Sequence, residues 1–112
     1  MELISYNDFS KVNICVGTIL TAVESNDLKK PSIILTIDFG KIIGVKKSLA
    51  QLRINYNCKD LLNKQIAAVI NFPPKQIGNS ISEVLILGFP DENNEAILIS
   101  PESKIENGQR LY

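Results

Sequence analysis

Apolar residues in this chain fall into short runs whose spacing is mostly that of β-strands. From Lys11 to Glu24, Val12, Ile14 and Val16 alternate with Asn13, Cys15 and Gly17, and Thr18-Ile19-Leu20 carries the run on. A period of two over that length predicts a long strand. Gly17 inside it predicts a bulge or sharp bend, as a small barrel needs where its first strand curls between two sheets. Ser32–Phe39, rich in Ile and Leu with Thr36 and Asp38 interleaved, is a second strand. Val45–Leu52 sets Lys46, Lys47, Ser48 and Gln51 among Val45, Leu49, Ala50 and Leu52. It reads as a third strand, although its Ser-Leu-Ala-Gln-Leu end fits a helical turn equally well. Gln65–Phe72 and Ser82–Phe89 are nearly continuous in apolar residues, which predicts fourth and fifth strands buried on both faces. A last short strand covers Glu95–Ile99.

The connections carry their own signals. Ser5-Tyr6-Asn7-Asp8 opens a short helix, with Ser5 as cap, Asp8 near N3 and Phe9 as an apolar anchor. Asn57–Asn63, with a cap residue and the Leu61-Leu62 pair, is a second short helix. Ser25–Pro31 is a polar loop, Gly40–Gly44 a turn with an apolar middle, Asp91-Glu92-Asn93-Asn94 a hairpin turn, and Pro101–Gly108 a tail. No repeat, linker or low-complexity segment interrupts the chain. Pattern alone therefore predicts one all-β domain over residues 1–112. Short helices at the N-terminus and between the third and fourth strands are what a five-stranded Greek-key barrel of the OB type looks like.

Composition narrows the chemistry. A chain of 112 residues, 45% apolar and 21% charged, supports one core but is small enough that oligomerisation would help it. No apolar run approaches the roughly 20 residues of a bilayer span. Met1-Glu2-Leu3-Ile4-Ser5 has neither the basic nor the long apolar region of a secretory signal. The expectation is a soluble, cytoplasmic protein without membrane insertion. There is no histidine, which removes the commonest general base and every Ser-His or Cys-His nucleophile pair. Cys15 and Cys58 form no C-x-x-C pairing. They read as free thiols, Cys15 buried in a strand and Cys58 near a helical turn, and nothing implies a metal or a cofactor. A binding protein fits these residues better than an enzyme.

The net charge of zero hides an asymmetry. Residues 41–75 hold Lys41, Lys46, Lys47, Arg53, Lys59, Lys64 and Lys75 against Asp60 alone, a net +6, whereas residues 1–40 carry −2 and residues 76–112 carry −4. Charge by itself favours scattered, solvated lysines, but the same asymmetry also suits a basic patch for a polyanion. Most of the remaining polar chemistry sits between the fourth and fifth strands. There Pro73-Pro74 stops an apolar run and is followed by Lys75-Gln76, a Gly78-Asn79-Ser80 turn and Ser82-Glu83. A polar loop between two core strands is a common way to present a binding site. The two prolines set its shape, with the isomer of each bond left open.

Several blocks resemble known proteins. Phe9-x-Lys11-Val12-x-Ile14-x-Val16-Gly17-Thr18-Ile19 is similar to the opening of EMAP-type tRNA-binding domains, which occur free-standing and appended to aminoacyl-tRNA synthetases. Five further blocks look like one branch, the CsaA family of export-related chaperones. They are Ile37-Asp38-Phe39-Gly40, Ile43 to Gln51, Asn71-Phe72-Pro73-Pro74-Lys75-Gln76-Ile77-Gly78, Ser82 to Leu85 and Leu87 to Asp91. The Asn107-Gly108-x-Arg110-Leu111 ending matches that branch too. The resemblance covers essentially the whole chain. It implies an OB-fold homodimer, tRNA as a partner, and in this branch a chaperone role for unfolded preproteins in export. Carried over by position, the binding motif falls on Asn71, Lys75, Ser82 and Glu83, with Lys46 and Lys47 on the neighbouring strand. The chain departs from the family at Asn13-x-Cys15, where Asp-x-Arg is usual, and in lacking a base between Gly78 and Ser82.

Each candidate has a plainer structural role beside the functional one. Lys46 and Lys47 point to opposite faces of a strand, so one of them, not both, shares a groove with Lys75. Asn71, Ser82 and Glu83 suit base edges or ribose hydroxyls. They equally suit loop closure, by bonding the backbone or by a Glu83–Lys75 pair. Phe72 and Phe89, the aromatics nearest the loop, are assigned to the core. Leu3, Ile4, Tyr6, Ile105, Leu111 and Tyr112 would be wet in their terminal segments, and they read as dimer contacts or as an apolar surface for a peptide client.

Overall fold

In the computed structural model, which describes residues 1–26 and 30–112, an antiparallel sheet curls around one apolar core. The strands β1 (Ile14–Ser25), β2 (Ser32–Asp38), β3 (Val45–Ala50), β4 (Gln65–Val69) and β7 (Leu85–Ile86) run in the order β3-β2-β1-β4-β7. Two small hairpins complete the β structure: β5 (Lys75–Ile77) with β6 (Ser80–Ser82), and β8 (Gly88–Pro90) with β9 (Ala96–Leu98). The helices are single turns: α1 (Tyr6–Ser10), α2 (Gly40–Ile43) and α3 (Cys58–Leu61). This is the all-β, OB-type architecture the strand pattern predicts. Part of the expected Ser25–Pro31 loop, residues 27–29, lies outside the described residues.

Local chemistry explains the helix starts. Ser5 and Asp8 form a reciprocal capping box, the Asp8 N–H donating to Ser5 Oγ and the Ser5 N–H to the Asp8 carboxylate, both at 3.1 Å. Asn57 caps α3 by accepting the Asp60 N–H at 2.9 Å, and Leu61 is fully buried beneath it. Cys15 and Cys58 are free, as expected, with Cys15 in the core and Cys58 opening α3.

The first strand departs from simple alternation. The residues that join or approach the core are Cys15, Gly17 and Ile19, not Val12, Ile14 and Val16, and Val12 is exposed. Gly17 lies against the Phe39 ring and Ile37, which makes it a point of close approach rather than a bulge. The register shift falls between Ile19 and Thr21 instead. Val16, facing outward, is buried by the C-terminal segment, with its N–H donating to the Gln109 carbonyl and its carbonyl accepting the Gly108 N–H. The expected tail is thus followed by residues that pair along β1. Leu111 donates its N–H to the Ile14 carbonyl, and Cys15 and Arg110 form a bridge.

The predicted fifth strand, Ser82–Phe89, is broken into β6, β7 and β8, and of its apolar residues only Val84 is fully buried. Leu85 points out, and Phe89 is 68% exposed rather than core. The break has a cause: this segment must close the sheet against β3, pair with β4 and enter a hairpin within nine residues. β4 is buried as predicted from Ile66 to Val69 but ends there, and Phe72 stands outside the core, 54% exposed. β3 extends as a strand to Ala50, which resolves the helical alternative. Asp91–Asn94 forms the expected turn, with the Asp91 carboxylate accepting the Asn93 and Glu95 N–H groups.

Candidate nucleic-acid interface

The loop between β4 and β7 folds onto the open edge of β3, and side chains make much of the junction. Glu83 donates its N–H to the Lys47 carbonyl at 2.8 Å and accepts the Lys47 N–H on its carboxylate at 3.0 Å. Ser82 Oγ accepts the Leu49 N–H at 3.2 Å and donates to the Val84 carbonyl, to which the buried Ser48 hydroxyl also donates. Two side chains therefore satisfy β3 donors that a regular neighbouring strand would have taken. Asn71 performs the same service at the other end of the loop. Its side-chain oxygen accepts the Asn13 N–H at 2.9 Å, and its amide donates to the Lys11 carbonyl at 2.7 Å. That ties the loop to the chain entering β1.

This folding leaves a groove of about 310 Å³ beside β3. Leu49, Phe72, Pro73, Ile77, Val84 and Leu85 form its apolar wall, and Lys75, Ser82 and Glu83 its polar part. Lys75 stands opposite Ser82 across the β5–β6 hairpin. Strand alternation places Lys47 with Leu49 on the groove side of β3. Lys46, opposite the buried Ile37, lies on the core side with Ser48. Among the described residues the ion pairs are Lys11–Asp8 and Arg53–Glu24. Lys75 and Lys47 thus keep their ammonium groups for solvent or a ligand, and the anticipated Glu83–Lys75 pair is not formed. Arg53 is held by Glu24 at 3.3 Å and by Asn26 at 2.8 Å. The feature that sequence reasoning missed is Phe72: an aromatic at the end of an apolar run reads as core, and only the early end of β4 exposes it.

A second apolar feature is built by the terminal segments. α1 and the C-terminal segment meet there, with Tyr6, Leu111 and Tyr112 lining one depression. Ile105 and Leu111 line an adjoining apolar groove of about 170 Å³ over β1 and β4. Leu3 and Ile4 extend from the start of α1 and are exposed. Cys15 lines this groove too; burial pushes its thiol pKa up, partly offset by the Arg110 charge. No group of His, Cys, Asp and Glu among the described residues could hold a metal ion.

Comparison with known proteins assigns the fold to a family. The family model described as "Putative tRNA binding domain" matches residues 14–110. The chain belongs to that family, in its CsaA branch. The crystal structure of the chaperone CsaA from Bacillus anthracis str. Ames superposes with a TM-score of 0.93 at 38% identity, covering 99% of this chain and 100% of that one. That of the CsaA chaperone protein from Picrophilus torridus gives 0.91 at 46% identity, covering 98% and 100%. The methionine–tRNA ligase of Methanococcoides burtonii is 31% identical over 111 residues, 99% of this chain but 16% of the ligase. The chain thus spans about one-sixth of the length of the curated ligases it matches.

Proposed function

We propose that this protein is a tRNA-binding module rather than an enzyme, working in the cytoplasm as a homodimer. The observation that carries the reading is Lys75, which lines the groove without an ion-pair partner among the described residues, with Lys47 on the same side of β3, in a chain that belongs to the tRNA-binding domain family. Phosphate neutralisation with counterion release supplies most nucleic-acid affinity, so two such cations beside a groove suit an RNA backbone. Asn71, Ser82 and Glu83 hold the groove's shape through their backbone bonds. Lys46, on the core side of β3, adds long-range charge. The absence of a first-strand arginine and of a base between Gly78 and Ser82 predicts weaker binding than in relatives that carry them. Titration with tRNA tests the reading: affinity falls steeply between about 50 and 200 mM salt. A curve indifferent to salt, or no binding at the lower salt, contradicts it.

The terminal apolar surface favours a second reading, that of a chaperone holding unfolded preprotein segments. Leu3, Ile4, Tyr6, Ile105, Leu111 and Tyr112 are all exposed, and apolar side chains exposed together mark interaction surfaces. The two CsaA structures described above are of chaperones. The same residues are the proposed dimer contacts, and sedimentation over a range of concentrations checks that assignment. Suppression of aggregation of a denatured client, undiminished in Lys75→Ala, supports the chaperone reading. No effect on any client at stoichiometric ratio counts against it.

A further inference from the structure

Phe72 gives the groove a property that the binding motif does not describe. The residue is more than half exposed, in the lining of a groove that is otherwise apolar apart from Lys75, Ser82 and Glu83. A ligand that covered this lining and met the lysine would be apolar on one side and anionic on the other. We propose that this groove takes one unpaired nucleotide of an RNA strand, its base stacked on Phe72 and its phosphate met by Lys75. The inference rests on the RNA-binding reading above and narrows its target to a single-stranded segment such as a loop or an end.

Three observations favour this occupant. A groove of about 310 Å³ is at the low end of small-molecule sites, roughly 300–1,000 Å³, which suits a nucleoside and not a helix. Base stacking beside a lysine is how sequence-tolerant readers hold single strands. An extended peptide, the competing occupant, would add to a strand edge through free backbone groups. The β3 edge at the groove offers no free N–H at Lys47 or Leu49, whose donors are taken by Glu83 and Ser82. The Glu83 carboxylate, the one acidic group among the groove's described residues, is engaged by the Lys47 N–H.

The chain has no tryptophan, so Phe72→Trp installs a single reporter at the site. A six-residue oligoadenylate, an RNA duplex of matching length and a full tRNA are the probes. The oligoadenylate quenches the indole fluorescence of the Phe72→Trp variant and binds that variant at least as tightly as the wild type. Phe72→Ala and Phe72→Leu lower oligoadenylate affinity by about 5- to 100-fold with an unchanged salt slope. Lys75→Ala reduces that slope by about 0.7. Duplex binding is insensitive to all Phe72 variants. Melting curves matching the wild type confirm that these exposed-site variants fold. Full oligoadenylate affinity in Phe72→Ala overturns the proposal; if tRNA binding still weakens in Lys75→Ala, the RNA-binding reading survives it. Absence of wild-type binding to both tRNA and oligoadenylate at low salt overturns the two together. A Phe72→Ala loss confined to an unfolded-peptide probe overturns it in favour of a peptide site.

Discussion

Gly17 and Phe39 set the limits of packing at the centre of the barrel. A β-carbon on Gly17 would stand 2.7 Å from both the Phe39 ring and Ile37 Cγ2, atoms of two fully buried side chains. Gly17→Ala is therefore expected to destabilise the protein by about 1–3 kcal/mol, the usual cost of overpacking a core. Urea denaturation measures it, and an unchanged midpoint would mean that the Phe39 ring moves aside freely. On the surface, Asp91 is held below the usual carboxylate range by the Glu95 N–H first, then by the Asn55 amide and the Asn93 N–H. A depressed carboxylate adds stability above its unfolded pKa of about 3.9 and loses it as the pH falls through the folded value. Asp91→Asn should flatten the loss of stability below about pH 4. An acid limb identical to the wild type would show that other carboxylates govern it. Gly17 was visible in the sequence as special, yet what made it so was not. A glycine signals that a side chain is unwelcome, and the identity of the obstructing group, here a ring 22 residues away, is a tertiary fact.

At the level of elements, the closure of the sheet decides both fold and groove. β3 meets the returning chain through the Ser82 and Glu83 side chains, so two side chains do the work of a strand edge. Ser82→Ala leaves the Leu49 N–H without its acceptor, at an expected cost of about 1–3 kcal/mol. The salt slope of RNA binding should stay the same, because no charge is removed. A change of slope with unchanged stability would reassign Ser82 to the ligand. Single elements were largely legible: the Ser5–Asp8 capping box, the Asn57 cap, β2 and the Asp91 turn follow from local chemistry. The segment after Glu83 was not, because continuous apolar character records burial without saying which partner buries each residue. Val84 is buried between core and groove, Leu85 lines the groove half-exposed, and Leu87 donates its N–H to the Ala67 carbonyl of β4, a change of surroundings at nearly every step. The same limit hid Phe72, whose exposure follows from where β4 ends.

At the scale of the whole molecule, the two candidate surfaces have no lining residue in common. The C-terminal segment is fixed to β1 by backbone bonds at Val16 and Ile14, and by Asn107, whose side-chain oxygen accepts from Thr18 at 2.8 Å and Gln65 at 3.0 Å. Gly108 crosses so close to the Phe39 carbonyl that a β-carbon there would clash at 2.5 Å. The terminal apolar residues are thereby gathered with α1 on one face, while the lysine-rimmed groove opens beside β3. The charge asymmetry along the sequence points to the second surface and the terminal hydrophobics to the first. Neither pattern could say that the two surfaces share no lining residue. Each can therefore be altered by substitutions that leave the other's side chains in place. The most direct test of the account is the salt dependence of tRNA affinity in the wild type and in Lys75→Ala. A steep wild-type slope is expected, with a variant slope shallower by about 0.7–0.9, one phosphate contact. Parallel lines for the two proteins would contradict it.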